Sequence, residues 1–371
     1  MKKKVHIILQ NFYSKDGEEL TVGGIQTYVK MLLPLIEEVG MIPVIYQASN
    51  IDFNKKFNNI NVFGVKTNNK DNMKKIGKKI VKFIKKNYNT EDIILFANDN
   101  MIVKNKFKNV IAIQHGIYWD VRNHEEFNHF FNMMYVIFRA ISSILRVNSF
   151  KYVNELVCVD YNFVNWYRTQ VAYTEANLKV ITNCTYIPES VQKDDTKINI
   201  IFARRFNDFR GTTLFSDAIE EVIKKNDNIH ITFAGDGPER EKLMKRFDGI
   251  SQVEFIKYLP EQSLSVHSKY DIAVIPTIGS EGTSLSLLEA MACKCAVIAT
   301  NVGGMTNIIL DGYNGLMISP NKDELIKSIN MLIEDTNFRK EISSKAQETV
   351  IKSFNREEWN IKWKEVFNSY K

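Results

Sequence analysis

Cysteine is sparse: four in 371 residues, too few for a disulfide scaffold. Cys293 and Cys295 stand two apart, Cys158 and Cys184 are isolated, and no Cys-x-x-Cys pair occurs. Structural zinc is therefore not expected, and a reducing compartment is. No uncharged apolar stretch approaches the ~18 residues of a spanning helix. After the N-terminal lysines only the short apolar run 5–9 follows, which reads as a first strand rather than a secretory signal. Proline is scarce, at seven, while Asn and Lys abound, a pattern of an AT-rich genome rather than of function. Internal repeats and low-complexity segments are missing. A large charge of one sign is missing too: the net charge of +6 is mild, and suits a polyanion, anionic lipid or nucleotide phosphates equally.

What is present is enough apolar material for two cores, 44% of residues, with 25% charged. At roughly 150 residues per domain the length suggests two domains. Short β-branched runs alternate with helix-length segments, the α/β pattern. Strands are expected at 5–10, 43–47, 61–65, 92–97, 110–114 and 156–160, with a helix at 24–39 among those between them. A second set is expected at 198–203, 230–234, 253–256, 272–276, 296–299 and 315–318. Each set suits a doubly wound parallel sheet. The polar, aperiodic stretch 183–196 with Pro188 reads as a hinge, and 322–334, 337–353 and 356–370 read as closing helices. Ligands bind beyond the carboxyl ends of such strands, so the cleft between two facing domains is the expected active site.

The strongest motif is PTIGSEGTSLSLLEAMACKCAVIATNVGG, residues 276–304. A strand ends at Pro276, a Gly- and Ser-rich turn containing Ser280 follows, and a helix is expected from about Thr283 to Cys293. Amides at that helix start, with the helix dipole, favour an anion. Glu281 precedes the helix and Glu289 lies eight residues on, so one carboxylate can address a sugar and the other a ribose diol. This segment resembles retaining glycosyltransferase family 4, whose Glu-x7-Glu pattern is matched by Glu281–Glu289. The match extends to Val297-Ile298-Ala299-Thr300, to Gly303-Gly304 and to the turn Asp311-Gly312-Tyr313-Asn314-Gly315-Leu316. The resemblance implies a GT-B fold: two facing Rossmann-like, doubly wound α/β domains with an interdomain cleft. The expected N-terminal acceptor-binding domain is 1–188, joined by a C-terminal helix 355–371, and the expected nucleotide-sugar domain is 195–354. Where the family has Gly-Phe-Gly after the first Glu, this chain has Gly282-Thr283-Ser284, which bears on donor choice.

The loop FARRFNDFRGTTLF, 202–215, carries Arg205 and Arg210 five apart, two cations able to grip a diphosphate bidentately. They match the family's Arg-x4-Lys-Gly pattern with Arg210 in place of Lys. Arg204 reads as an extra surface charge. Gly235-Asp236-Gly237-Pro238 fits the family's Gly-x-Gly-Pro turn; otherwise it is a tight turn. Gly23 and Gly24 open a helix and either let a phosphate or sugar approach the backbone or serve a positive-φ turn. His115-Gly116 ends a strand where the family has a His beside the transferred sugar. Asn183 resembles the Asn of its interdomain segment.

The reading is a hexosyltransferase using a nucleotide-diphosphate sugar, most simply a UDP-sugar. The resemblance implies retention of anomeric configuration and a glycan or lipid-linked acceptor in cell-surface polysaccharide synthesis. Arg205, Arg210 and the helix start, with Gly282, Thr283, Ser284 and Leu285, would offset charge on the departing diphosphate without metal or cofactor. Glu289 would hold the ribose, Glu281 the sugar hydroxyls, His115 the sugar from the opposite domain, and Gly23, Gly24 and Gly235 would line the ligand. With no evident carboxylate nucleophile, a same-face mechanism with the leaving phosphate as base is expected. The alternatives are another GT-B activity (hydrolysis, epimerisation, phosphorolysis) or a non-catalytic sugar-binding subunit. The location expected is cytoplasmic, with no nucleic-acid partner. Two stretches raise contact with the inner face of the membrane: 71–88, with Met73, Ile76, Ile80, Phe83 and Ile84 on one face and lysines on the other, and the apolar 127–147 with Arg139 and Arg146.

Overall fold

A computed structural model describes residues 2–117, 129–174, 177–191, 193, 196–279 and 281–371, the side chains of 129–132 excepted. Ser280 of the main motif, 127 and 128 of the apolar stretch, and 192, 194 and 195 of the expected hinge lie outside the described residues. The chain divides into two compact units. The first holds the described parts of Met1–His115, Phe127–Thr182 and Asn360–Lys371; the second holds those of Gly116–Glu126 and Asn183–Trp359.

The first unit contains β1 (Lys4–Leu9), α1 (Gly24–Glu38), β2 (Ile42–Ser49), β3 (Phe53–Phe57), β4 (Ile60–Lys66), α2 (Met73–Ile84), β5 (Ile93–Phe96), β6 (Asn109–Gln114), α3 (His129–Val147), β7 (Glu155–Cys158), α4 (Tyr161–Tyr167) and β8 (Asn177–Val180). Its sheet runs β3-β4-β2-β1-β5-β6-β7-β8. The central strands are continuous apolar runs with almost every residue buried, as a parallel sheet covered on both faces requires. The sequence predicts a wholly parallel sheet, but β3 pairs antiparallel with β4. The hairpin turns on Asn58 and Asn59 at φ 45° and 69°, a conformation that Asn tolerates. β3 (FNKKF) and β8 (NLKV) are polar edge strands, so no apolar run announced them.

The second unit contains β9 (Ile198–Ala203), α5 (Thr212–Ile223), β10 (Ile229–Ala234), α6 (Arg240–Arg246), β11 (Val253–Ile256), α7 (Ser263–His267), β12 (Ile272–Ile275), α8 (Leu285–Ala292), β13 (Ala296–Thr300), β14 (Leu316–Ile318), α9 (Lys322–Glu334) and α10 (Thr336–Ser353). Its parallel sheet runs β11-β10-β9-β12-β13-β14, with all six strands where the alternation predicts them. Side chains of β9 alternate between two cores. Ile200 and Phe202 join Phe206, Phe215 and Phe233 on one face. Ile201 and Ala203 join Leu287, Leu288 and Met291 of α8 on the other. Each large side chain so buried contributes about 1.5–3 kcal/mol, which fixes α8 against the sheet.

The last helix, α11 (Arg356–Asn368), starts in the second unit and ends in the first. Within the first unit, Trp363 Nε1 donates to Tyr28 Oη at 2.9 Å, and Lys364 pairs with Glu38 at 2.7 Å. All four cysteines are buried free thiols. Among the described residues no helix is long and apolar enough to cross a membrane.

Candidate functional site

Glu281 and Arg210, two of the charged groups singled out in the second unit, meet where β9 and β12 give way to loops. Glu281 lies beyond β12, just ahead of α8, with its side chain 11% exposed. Three donors converge on its Oε2: Arg204 Nη2, Arg210 Nη1 and Thr277 Oγ1 at 3.3 Å. Burial alone would raise the Glu281 carboxyl; the Arg204 and Arg210 cations outweigh it and hold the carboxyl below its ordinary value. Two guanidiniums and one carboxylate leave one positive charge in excess, which an anion could neutralise.

One expectation is corrected here. Arg204 is no surface charge: its side chain is 4% exposed, and Nη1 also donates to Ser284 Oγ at 3.1 Å. Arg205 is the exposed one of the pair, and no ion pair links it to a described residue. The five-residue spacing singled out Arg205, but adjacent residues at a strand end point to opposite sides, and it is Arg204 that turns inward. The reason lies in Gly235. Arg204 extends the β9–β10 ladder by donating its N–H to Ala234 O at 3.1 Å. Gly235, at φ +147°, then passes so close that a Cβ there would lie 2.1 Å from Arg204 O. Gly235 thus fixes the Arg204 main chain. The doubled Arg directly after an apolar strand was the available signal.

The helix also starts later than expected. α8 begins at Leu285, and Ser284 is its N-cap, with Oγ accepting from Leu287 N. Thr283 is buried, and its carbonyl accepts from Asn183 Nδ2 at 2.5 Å. The amides that open α8 from Leu285 have no partner within the helix, so its positive end lies beside the Arg204–Glu281 pair. Gly304 N donates to Glu281 O at 3.0 Å. Gly303 adopts φ +58°, and a Cβ there would sit 2.0 Å from Glu281 O, so only glycine lets this loop support Glu281. A Cβ on Gly304 would come within 2.6 Å of Gly282. This explains why Gly303-Gly304 accompanies Glu281-Gly282 in the sequence.

Glu289 sits on α8 one helix turn past Leu285. Its Oε2 accepts from Ser263 Oγ at 2.6 Å. Burial pushes its carboxyl up to about 7, against the Ser263 hydrogen bond and the Arg204 charge. Arg204 therefore acts on both glutamates. Ser263, which no motif marked, orients the second. His267 on the same short helix is buried, donates Nδ1–H to Ser263 O at 2.8 Å, and is pushed down to about 4 by burial.

In the first unit His115 follows β6. Its Nε2 is 2.9 Å from Ala97 O; a carbonyl only accepts, so Nε2 carries the proton and neutral Nδ1 is an acceptor. Tyr28 meets the ring edge-on at 5.3 Å. Burial pushes His115 down to about 4, so it is neutral at neutral pH. Gly23 is the N-cap of α1 at φ 172°, ordinary extended backbone, and Gly24 is not among the positive-φ glycines. The positive-φ explanation of this pair therefore fails, leaving a helix start of 15 residues whose capping position has no side chain.

Among the described residues no group of three or more His, Cys, Asp or Glu is placed to hold a metal.

Comparison with known proteins bears on this arrangement. Residues 185–349 match the family model described as Glycosyl transferases group 1. An uncharacterized glycosyltransferase of Methanocaldococcus jannaschii is 26% identical over 282 residues, 72% of this chain and 68% of that protein. The poly(ribitol-phosphate) alpha-N-acetylglucosaminyltransferase of Staphylococcus aureus is 25% identical over 197 residues, 52% of this chain and 40% of that protein. Other curated relatives are likewise spanned over less than half their length, 46% and 42% for two more from M. jannaschii. Among solved structures, HepE of Anabaena in complex with UDP-glucose superposes with a TM-score of 0.71 at 15% identity, over 99% of each chain. The fold is GT-B, and the group 1 match over the unit that holds Arg204, Arg210, Glu281 and Glu289 supports a glycosyltransferase.

Proposed function

We propose that the protein transfers a hexose from a nucleotide-diphosphate sugar, a UDP-sugar in the simplest case, to a glycan or lipid-linked acceptor of cell-surface polysaccharide synthesis, with retention of configuration. The observation that carries this is the convergence of Arg204 and Arg210 on Glu281 at the start of α8, with Glu289 a short way along the same helix. The HepE complex with UDP-glucose and the poly(ribitol-phosphate) alpha-N-acetylglucosaminyltransferase of S. aureus support the choice of donor and acceptor class.

In this reading Arg204, Arg210 and the amides opening α8 stabilise the diphosphate as the glycosidic bond breaks, an electrostatic effect that is largest on the charge that develops. Arg205 adds an exposed cation at the same loop. Glu281 Oε1, which the three donors on Oε2 leave unused, orients sugar hydroxyls. Glu289 accepts from the ribose diol through the oxygen that Ser263 does not take, provided it is ionised. His115 accepts a sugar hydroxyl at Nδ1. Gly282, Thr283, Ser284 and Leu285 supply main chain beside the phosphates, with Gly235 behind Arg204 and the α1 start at Gly23 and Gly24 as a further approach. Glu281 is held by Arg204 and Arg210 through Oε2 and given to the sugar hydroxyls, and Glu289 is given to the ribose, so neither is assigned as a nucleophile. The leaving phosphate is therefore the base that deprotonates the acceptor on the same face.

The test is a transfer assay with a panel of UDP- and GDP-sugars, with and without a saccharide acceptor. Product formation that requires acceptor and persists in chelator supports the reading. Complete donor breakdown without acceptor would replace it with a hydrolase.

A further inference from the structure

α3 is unlike the other helices. The six consecutive residues 133–138, Met-Met-Tyr-Val-Ile-Phe, are all exposed, Phe138 at 70%, and Ile141 and Leu145 further on are exposed at 53% and 58%. Soluble surfaces rarely leave so much contiguous apolar area uncovered. Successive helix residues point about 100° apart, so six in a row surround the helix instead of forming one stripe. A groove on a folded protein covers a stripe; a layer of acyl chains covers a helix from several sides.

Charge selects between occupants. Neither α2 nor α3 contains an Asp or Glu, while α2 carries Lys74, Lys75, Lys78, Lys79 and Lys82, and α3 carries Arg139 and Arg146. Lys74 Nζ donates to Leu145 O at 3.2 Å, which sets the α2 lysines beside the end of α3. Asp71 pairs with both Lys75 and Lys79, leaving one positive charge over. Lys78 and Lys82, one and two turns after Lys74, are exposed and form no ion pair among the described residues. A second copy would bring the same cations to meet these in a two-fold pairing; anionic headgroups would neutralise them.

We propose that α3 lies in the surface of an anionic lipid bilayer, with residues 133–145 at the acyl boundary and Lys78 and Lys82 at the headgroups. This does not rest on the nucleotide-sugar reading, because it can be measured without donor. The full chain is sedimented with phosphatidylcholine vesicles, with and without phosphatidylglycerol, beside two double variants, Ile137→Asp with Phe138→Asp, and Lys78→Gln with Lys82→Gln. Circular dichroism and cooperative thermal melting confirm that both variants fold. The expected result is binding to anionic vesicles that falls at least about tenfold in the Asp pair, and binding in the Gln pair that is weaker and less sensitive to salt. Three outcomes would overturn the proposal: no binding to anionic vesicles, undiminished binding by the Asp pair, or light scattering that shows a dimer which the Asp pair dissolves while vesicles bind neither form.

Discussion

The two units place their cations differently. The second draws Arg204 and Glu281 inside, at 4% and 11% side-chain exposure, and braces them with close-packed main chain at Gly235 and Gly303. The first also buries carboxylates, among them Asp71, Asp99, Glu155 and Asp160, but among its described residues it buries no arginine beside them as the second does Arg204, and the histidine that follows β6 is left uncharged by burial. A buried ion pair is costly to assemble and more costly to break. The Arg204–Glu281 pair is therefore the feature of the second unit most sensitive to loss of one partner.

That contrast is sharpest at Arg204. Arg204→Ala leaves Glu281 in place with a cation removed, and should cost about 3 kcal/mol of stability by urea denaturation as well as nearly all transfer activity. Lys78→Ala in the first unit should stay within about 0.5 kcal/mol. Equal effects would dissolve the distinction.

Acid should strike the second unit next. The folded-state value of His267 lies near 4, below its ordinary 6.5, so the neutral ring is favoured by folding. Its contribution is present above about 6.5 and is lost as pH falls through 4, roughly 3 kcal/mol in total. The melting temperature of His267→Asn should therefore fall less steeply than wild type over that interval.

A gentler effect concerns the ligand. With the Glu289 carboxyl at about 7, its ionised form is lost below neutrality. If it accepts from the ribose, UDP affinity should weaken by up to about tenfold per pH unit below 7, and Glu289→Gln should flatten that dependence. The smallest effect belongs to the first unit. Gly23 has ordinary extended backbone, and a Cβ there meets only the movable Gln26 side-chain oxygen. Gly23→Ala should change stability by less than about 0.5 kcal/mol, so any loss of transfer would report ligand approach and not folding.

The same contrast explains what could be read from sequence. The six strands of the second unit were legible because each is a short, mainly apolar run, buried throughout in β12 and β13 and only partly so in β11, and Glu281, Glu289 and Arg210 because a local spacing carries them. Arg204 was misjudged because its burial depends on Gly235, some thirty residues away, and Ser263 passed unnoticed because its contact with Glu289 is purely tertiary. In the first unit β3 and β8 were missed because edge strands need no apolar pattern. The apolar character of α3 was plain, but its exposure was not, since an all-round apolar helix reads equally well as core.

The central claim is that Arg204, Arg210 and Glu289 form a nucleotide-diphosphate site, and calorimetric titration with UDP tests it most directly. Wild type should bind UDP, and Arg210→Ala should bind it at least about tenfold more weakly, a loss of roughly 1.4 kcal/mol, with uridine affinity little changed. Equal UDP affinity in wild type and Arg210→Ala would contradict the account.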